Sequence, residues 1–146
     1  MIVYKNLNIK QKHKNSVIAI GNFDGLHIGH QKVLKEAKQK AKKNNLKFGL
    51  ITFEPAPTMF FNKLIKNHRI YSLNQKIYFL KKMKLDFVII INFNKNFSNL
   101  SAEGFIEKIL FKKIKSKYIF VSRNFKFGKK RVGNVITLKN FEKKYF

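Results

Sequence analysis

The stretch that decides the fold is G-N-F-D-G-L-H-I-G-H, at residues 21–30. It follows a short apolar run, V-I-A-I at residues 17–20, which is typical of a strand buried on both faces. After it, residues 29–43 carry apolar side chains at helical spacing, with Lys, Gln and Glu on the opposite face. A strand, a glycine-containing turn and an amphipathic helix in this order predict a βα unit.

The same alternation continues along the chain. Further strands are predicted at residues 48–53, 87–91 and 118–121, and helices after Ser72 and Ser101, which are favoured N-cap residues. The side chains expected to face the sheet from these two helices are Leu73, Ile77, Leu80, Phe105, Ile106, Ile109 and Leu110. Strands separated by helices predict an α/β fold with a mostly parallel sheet, helices on both faces, and ligands at the carboxyl ends of the strands. No repeat or linker divides residues 1–146, so we expect one domain.

Composition excludes several classes of protein. With 45% hydrophobic and 14% aromatic residues the chain can bury a core, which argues against disorder. It has no cysteine, so thiol chemistry, disulfides and Cys-ligated zinc are excluded. No apolar run has the length of a signal peptide or a membrane helix, and we therefore expect a cytoplasmic protein with no membrane partner.

The net charge of +25 is the second compositional feature. A sequence pI near 10.4 is typical of nucleic-acid binders. However, all but three of the 32 basic residues are lysines, whereas planar recognition of phosphates and bases favours arginine. We interpret the lysines as solvated polar faces and expect only weak, salt-sensitive, non-specific binding to polyanions.

The turn at residues 21–30 has the chemistry of a phosphate site. Its glycines allow a sharp bend and close approach of a ligand, and the start of the following helix favours anions. His27 and His30 can face one bound group together and donate hydrogen bonds to an oxyanion. The alternatives are that both are surface or capping residues, with Asp24 in an Asx turn, or that they bind a metal. Carboxylates are too few for a predicted metal site, and the strand–turn–helix context favours the phosphate interpretation.

Residues 21–31 resemble the signature of the H-x-G-H nucleotidylyltransferase superfamily, in the form found in prokaryotic FAD synthases. Four later segments resemble further motifs of that family: T-F-E-P at 52–55, R-x-x-S-L at 69–73, F-x-x-L-S-x-E-x-F at 97–105, and V-S-R-N-F-K-F-G-K-K-R-V-G at 121–133. The resemblance covers residues 17–138. H-x-G-H alone would leave other nucleotidylyltransferases open, whereas the ordered series favours FAD synthase.

The resemblance implies a Rossmann-like nucleotidylyltransferase fold. It also implies transfer of an adenylyl group from ATP to FMN, with Mg²⁺, giving FAD and pyrophosphate in FAD biosynthesis. Family members usually carry a riboflavin kinase domain as well. We expect none in this sequence, so that a separate riboflavin kinase would act alongside it.

The resemblance also assigns roles to residues. The catalytic residues, which would bind ATP phosphates and stabilise the transition state, are His27 and His30. The ATP-binding residues are Gly21, Asn22, Phe23, Asp24 and Gly29. The FMN-binding residues are Asn124, Phe125, Phe127 and Arg131. For this last group ordinary structural roles stay open: Asn124 as a turn residue, the two phenylalanines as core, and Arg131 as part of a solvated basic turn.

The sequence departs from the family pattern in places. Ala56 stands where the family's E-P-H-P loop has histidine, and Ser122 stands at a usual glycine. The family pattern continues into a further strand and an I-S-S-T-x-x-R-like segment that this sequence does not include. We therefore expect the last strand or strands of the sheet to be missing and the nucleotide site to be incomplete. The competing function is a non-catalytic fragment that binds nucleotides or polyanions.

Overall fold

A computed structural model of the chain describes residues 1–62 and 71–145. Within these residues the chain forms one five-stranded, fully parallel sheet in the order β1-β4-β3-β2-β5. The strands are β1 (Ile2–Tyr4), β2 (Val17–Ile20), β3 (Phe48–Glu54), β4 (Phe87–Asn92) and β5 (Tyr118–Val121). The expected α/β fold with a parallel sheet is confirmed, and the four predicted strands begin at the predicted residues.

Helices connect the strands on both faces of the sheet. They are α1 (Ile28–Lys43), α2 (Pro57–Phe61), α3 (Leu73–Lys82), α4 (Lys95–Ser98), α5 (Ala102–Gly104), a π-helical segment (Phe105–Lys113) that continues α5, and α6 (Val135–Tyr145). Ser72 and Ser101 are N-caps as predicted, because each side chain accepts a hydrogen bond from a backbone N–H three residues on. In the described part of the chain, no helix combines the length and the apolar character that crossing a membrane requires.

The two faces of the sheet carry separate apolar layers, because successive side chains of a strand point to opposite faces. Val17 and Ala19 of β2 pack in the layer that contains buried residues of α1 and α3. Ile18 and Ile20 pack in the layer that contains the π-helical segment. The four side chains predicted to face inward from that segment are all buried: Phe105, Ile106, Ile109 and Leu110.

Helix α3 only partly follows the prediction. Leu80 is buried, but Leu73 and Ile77 are only half-buried. The other buried residue of α3 is a lysine, Lys76. The sheet-facing side of α3 therefore carries a cation where its hydrophobic spacing predicts an apolar residue.

The order of the strands places a crevice at β2. The chain runs from β2 to β3 and on to β4 in one direction, and then returns to place β5 on the other side of β2. Ile20 at the end of β2 pairs with Val121 at the end of β5. The segments that follow these two strands therefore leave the sheet side by side, at the reversal of strand order where α/β sheets bind ligands.

Candidate active site

The loop that joins β2 to α1 is held by hydrogen bonds to two other segments of the chain. Gly21 N–H donates to the Ile51 carbonyl at 3.1 Å, so the loop starts as an extension of the sheet. Phe23, Gly25 and Leu26 have positive φ angles of 50°, 78° and 42°, which turn the backbone sharply. The side chains of Phe23 and Leu26 are buried. Asp24 accepts a hydrogen bond from Tyr71 N–H at 2.9 Å, and the loop is thus tied to the segment before α3.

The two predicted catalytic histidines are brought together at the start of α1. His27 is the N-cap and is exposed, while His30 is half-buried one turn later. Their rings stack, with centroids 3.8 Å apart and an interplanar angle of 24°. A Cβ at Gly29 would lie 3.2 Å from His27 Cε1, so the glycine leaves the space that the His27 ring occupies. The arrangement presents two imidazoles together at a helix N-terminus, where anions are favoured.

The pKa of His30 is lowered from its ordinary value, first by burial, then by the neighbouring His27 and by Lys76, against a raising effect of Asp24. The imidazole is therefore mainly neutral near pH 7. Its Nδ1 is buried and has no hydrogen-bond partner among the described residues. A buried polar atom without a partner is costly, so this nitrogen favours a ligand that supplies one.

Asn22 is tied by hydrogen bonds to two other elements of the fold. Its backbone carbonyl accepts hydrogen bonds from Lys76 Nζ at 2.8 Å and from Thr52 Oγ1 at 3.1 Å. Its side-chain Oδ1 is buried without a hydrogen-bond partner in the described part of the chain.

Sequence reasoning missed Lys76, although its position between Leu73 and Leu80 on one helical face was a signal.

A cavity of about 510 Å³ opens beside this loop. The four predicted FMN-binding residues all line it: Asn124, Phe125, Phe127 and Arg131. Sequence reasoning missed most of its aromatic wall, which includes Phe53, Phe61, Phe93, Phe97 and Phe105. Asn22 also lines the cavity, whereas His27 and His30 do not. The structure thus places the four predicted FMN residues along the cavity and the histidine pair outside its lining, while Asn22, from the loop that carries the histidines, reaches the cavity wall.

The segment after β5 forms one wall of the cavity through a close backbone contact. Gly128 has φ of 77°, and a Cβ there would lie 2.6 Å from the backbone nitrogen of Ala102. Lys129 N–H donates to the Leu100 carbonyl at 2.8 Å. Glycine at 128 therefore permits the segment to dock on the start of α5.

The two phenylalanines of this segment lie between the core and the cavity. Phe127 is buried in the core, and Phe125 stacks on it with centroids 5.5 Å apart and an angle of 17°. Both rings also face the cavity. Asn124 and Arg131 are exposed at its edge.

The departures from the family motifs also have structural settings. Ala56 is buried at the start of α2. Ser122 is not among the residues with positive φ, so its backbone does not need the usual glycine. Arg69 and Ile70, the first two residues of the R-x-x-S-L segment, lie outside the described residues.

A parallel sheet with helices on both faces and a cavity at the reversal of strand order defines the Rossmann-like class of α/β domains, which bind ligands at this position. Residues 9–146 match the family model described as FAD synthetase. The chain belongs to that family.

Similar curated proteins are bifunctional riboflavin kinase/FMN adenylyltransferases. The protein of Buchnera aphidicola subsp. Schizaphis graminum is 43% identical over 94% of this chain and 44% of its own length. The protein of Haemophilus influenzae is 37% identical over 94% of this chain and 45% of its own length. The protein of Escherichia coli K12 is 33% identical over 88% of this chain and 41% of its own length. The chain thus spans less than half the length of these relatives.

The fold recurs in a solved structure. A crystal structure of a macrolide-efflux protein from Streptococcus pneumoniae superposes with a TM-score of 0.79 and 26% identity, over 97% of this chain and 47% of that one.

Proposed function

We propose that this domain transfers the adenylyl group of ATP to FMN, forming FAD and releasing pyrophosphate. One observation carries the proposal: a single loop, residues 21–30, holds the stacked histidines and also places Asn22 in the wall of the aromatic cavity. An adenylyl transfer needs the nucleotide phosphates and the acceptor phosphate to meet, and this loop adjoins both candidate sites.

The ATP phosphates would bind at the start of α1. His27 and His30 would donate hydrogen bonds to phosphate oxygens, and Gly21, Asn22, Phe23, Asp24 and Gly29 would shape the nucleotide site. An oxygen of the FMN phosphate would attack the α-phosphorus as the bond to the pyrophosphate oxygen breaks. No covalent enzyme intermediate is required, because alignment and charge stabilisation suffice.

FMN would occupy the aromatic cavity. Its volume, about 510 Å³, falls in the usual range for small-molecule sites. Phe125 and Phe127 would pack against the flavin ring. Asn124 would hydrogen-bond the flavin or its phosphate, and Arg131 at the exposed edge would pair with the phosphate.

Magnesium is proposed only as the ion that accompanies ATP. The described residues contain no cluster of His, Asp or Glu side chains able to hold a metal. Mg²⁺ in such enzymes commonly binds through substrate phosphates and water, with few protein ligands. The protein's own residues would therefore contribute alignment of the substrates and hydrogen bonds to their phosphates.

The names of the curated relatives include a riboflavin kinase, whose product would be the FMN used here. We propose that a riboflavin kinase activity supplies this substrate in the same compartment, the cytoplasm.

The test is direct chemistry on the full 146-residue chain. Incubation with ATP, FMN and Mg²⁺ should yield FAD and pyrophosphate in equal amounts, measured by chromatography and a coupled pyrophosphate assay. His27→Ala and His30→Ala should each lower the rate by about 100-fold or more, as expected when a hydrogen-bond donor to a transition state is lost. Phe125→Ala should raise KM for FMN and leave ATP affinity unchanged.

A different result would favour the competing function. A chain that binds ATP but forms no FAD would be a nucleotide-binding module. If the chain only binds heparin, it is a polyanion binder. In that case the heparin affinity and its dependence on salt should be the same in wild type and in the double histidine variant.

A further inference from the structure

Lys76 is a buried cation that the proposed chemistry does not use. It is 3% exposed and, among the described residues, is the only lysine in the buried class. Burying an ammonium group is costly unless hydrogen bonds and charges compensate for lost hydration. A hydrophobic residue would fill the same face of α3 without that cost, so the position calls for an explanation beyond packing.

Among the described residues, Lys76 contacts both the loop that carries the histidines and strand β3. Nζ donates to the Asn22 carbonyl at 2.8 Å and contacts Thr52 Oγ1 at 3.3 Å. Thr52 Oγ1 in turn donates to the same Asn22 carbonyl at 3.1 Å. One carbonyl oxygen of the loop is thus held from α3 and from β3 at once.

Fixing this oxygen fixes the peptide plane between Asn22 and Phe23. A trans peptide is planar, so its N–H points opposite to its C=O, away from Lys76. The next residue, Phe23, has φ of 50°, a left-handed conformation that is uncommon for a bulky side chain and costs free energy. The Lys76 contact, at Asn22, lies directly before this strained residue and eight residues before His30.

We propose that Lys76 is a positioning residue of the nucleotide site: its ammonium group clamps the Asn22 carbonyl and holds the loop of residues 21–30 in the conformation that stacks His27 and His30. For its effect on ATP this inference rests on the proposed function. Its effect on the loop is a property of the protein alone.

The experiment compares Lys76→Met with Lys81→Met in the full chain. Both substitutions remove a lysine charge from α3, but Lys81 is exposed. Two-dimensional NMR should show large shifts of the amide signals of residues 23–30 in Lys76→Met and none in Lys81→Met. Imidazole titration should show a raised pKa of His30 in Lys76→Met, because a nearby positive charge is removed. His13, whose pKa is shifted by burial and by charged groups other than Lys76, is the internal control.

Lys76→Gln separates the hydrogen bond from the charge and also serves if Lys76→Met fails to fold. Glutamine can still donate to a carbonyl, so the amide signals of the loop should move less than in Lys76→Met, while the pKa of His30 should rise. ATP affinity should fall by about 10-fold in Lys76→Met, a loss typical of a misplaced binding group, and recover in part in Lys76→Gln.

The outcomes distinguish the two proposals. A wild-type chain without ATP binding or FAD formation would contradict the proposed function, and the loop signals would still decide the role of Lys76. Unchanged loop signals and an unchanged His30 titration in folded Lys76→Met would overturn the positioning role, as would equal effects of Lys81→Met.

Discussion

Gly29 controls the histidine pair at the scale of single residues. A Cβ at this position would approach His27 Cε1 to 3.2 Å and Nδ1 to 3.4 Å. The His27 ring is exposed, so in Gly29→Ala it can move aside by a few tenths of an ångström and disturb the stack. Alanine is also the better helix former, by up to about 1 kcal/mol. We therefore predict an unfolding free energy that does not fall, together with about 10-fold weaker ATP binding.

Urea unfolding and calorimetric titration with ATP would measure the two quantities on the same samples. Lys38→Ala, on an exposed position of α1, is the matched control and should change neither by much. Equal ATP affinity in Gly29→Ala and wild type would show that the stack tolerates the added methyl group.

The residues of the site differ in how far the sequence predicts them. His27, Gly29 and His30 are close in sequence, and their spacing on a turn and a helix fixes their relation locally. Lys76 and Phe93 reach the site only through the order of the strands, which no local pattern contains. With 32 basic residues in the chain, composition gives no signal that singles out Lys76.

At the scale of elements, α3 links a local signal to the site. Its N-terminus has a capping box, in which Ser72 accepts from Gln75 N–H and the Gln75 side chain accepts from Ser72 N–H. We predict that Ser72→Ala lowers the unfolding free energy by about 1 kcal/mol, because a backbone N–H loses its partner. Asn74→Ala, exposed in the same turn, should leave stability nearly unchanged, and chemical denaturation would compare the two. Equal stability of both variants would contradict a contribution from the cap.

The helices and strands differ in how well local sequence patterns predict them. The four predicted strands are apolar runs between turn residues, which is a strong local signal. Strand β1 has only three half-buried residues among polar neighbours, and it forms because β4 offers an edge. The π-helical segment was not predicted, since its apolar spacing also fits an ordinary α-helix.

At the scale of the whole molecule, the sequence predicts the parallel α/β class from the alternation of strands and helices. It does not predict that β5 returns beside β2, although this reversal brings the residue 122–133 segment to the histidine loop. The pairing of distant strands depends on tertiary packing, and the family resemblance carries that information indirectly through its ordered motifs.

The stability of the whole molecule should fall in mild acid because of two histidines. Burial lowers the pKa of His13. Its Nδ1 forms a hydrogen bond with Tyr4 Oη at 2.7 Å, and its ring stacks on Phe87. Burial also lowers the pKa of His30. In the unfolded chain both regain a value near 6.5, so below this pH the unfolded state binds more protons. The unfolding free energy should therefore decrease as the pH falls from about 7 toward 5 and stay level just above 7.

Unfolding curves at a series of pH values would measure this slope in wild type, His13→Gln and His30→Gln. Each variant removes one titrating group, so each should show a shallower slope than wild type between about pH 7 and 5, whatever its stability at pH 7. The slope rather than the absolute stability is the readout, because His13→Gln also loses the ring packing on Phe87. The same pH series with saturating ATP reports the charge of His30 in the complex. If ATP binds the neutral imidazole, the unfolding free energy should decrease more steeply with falling pH. If the ATP phosphates favour the protonated imidazole, the decrease should be smaller.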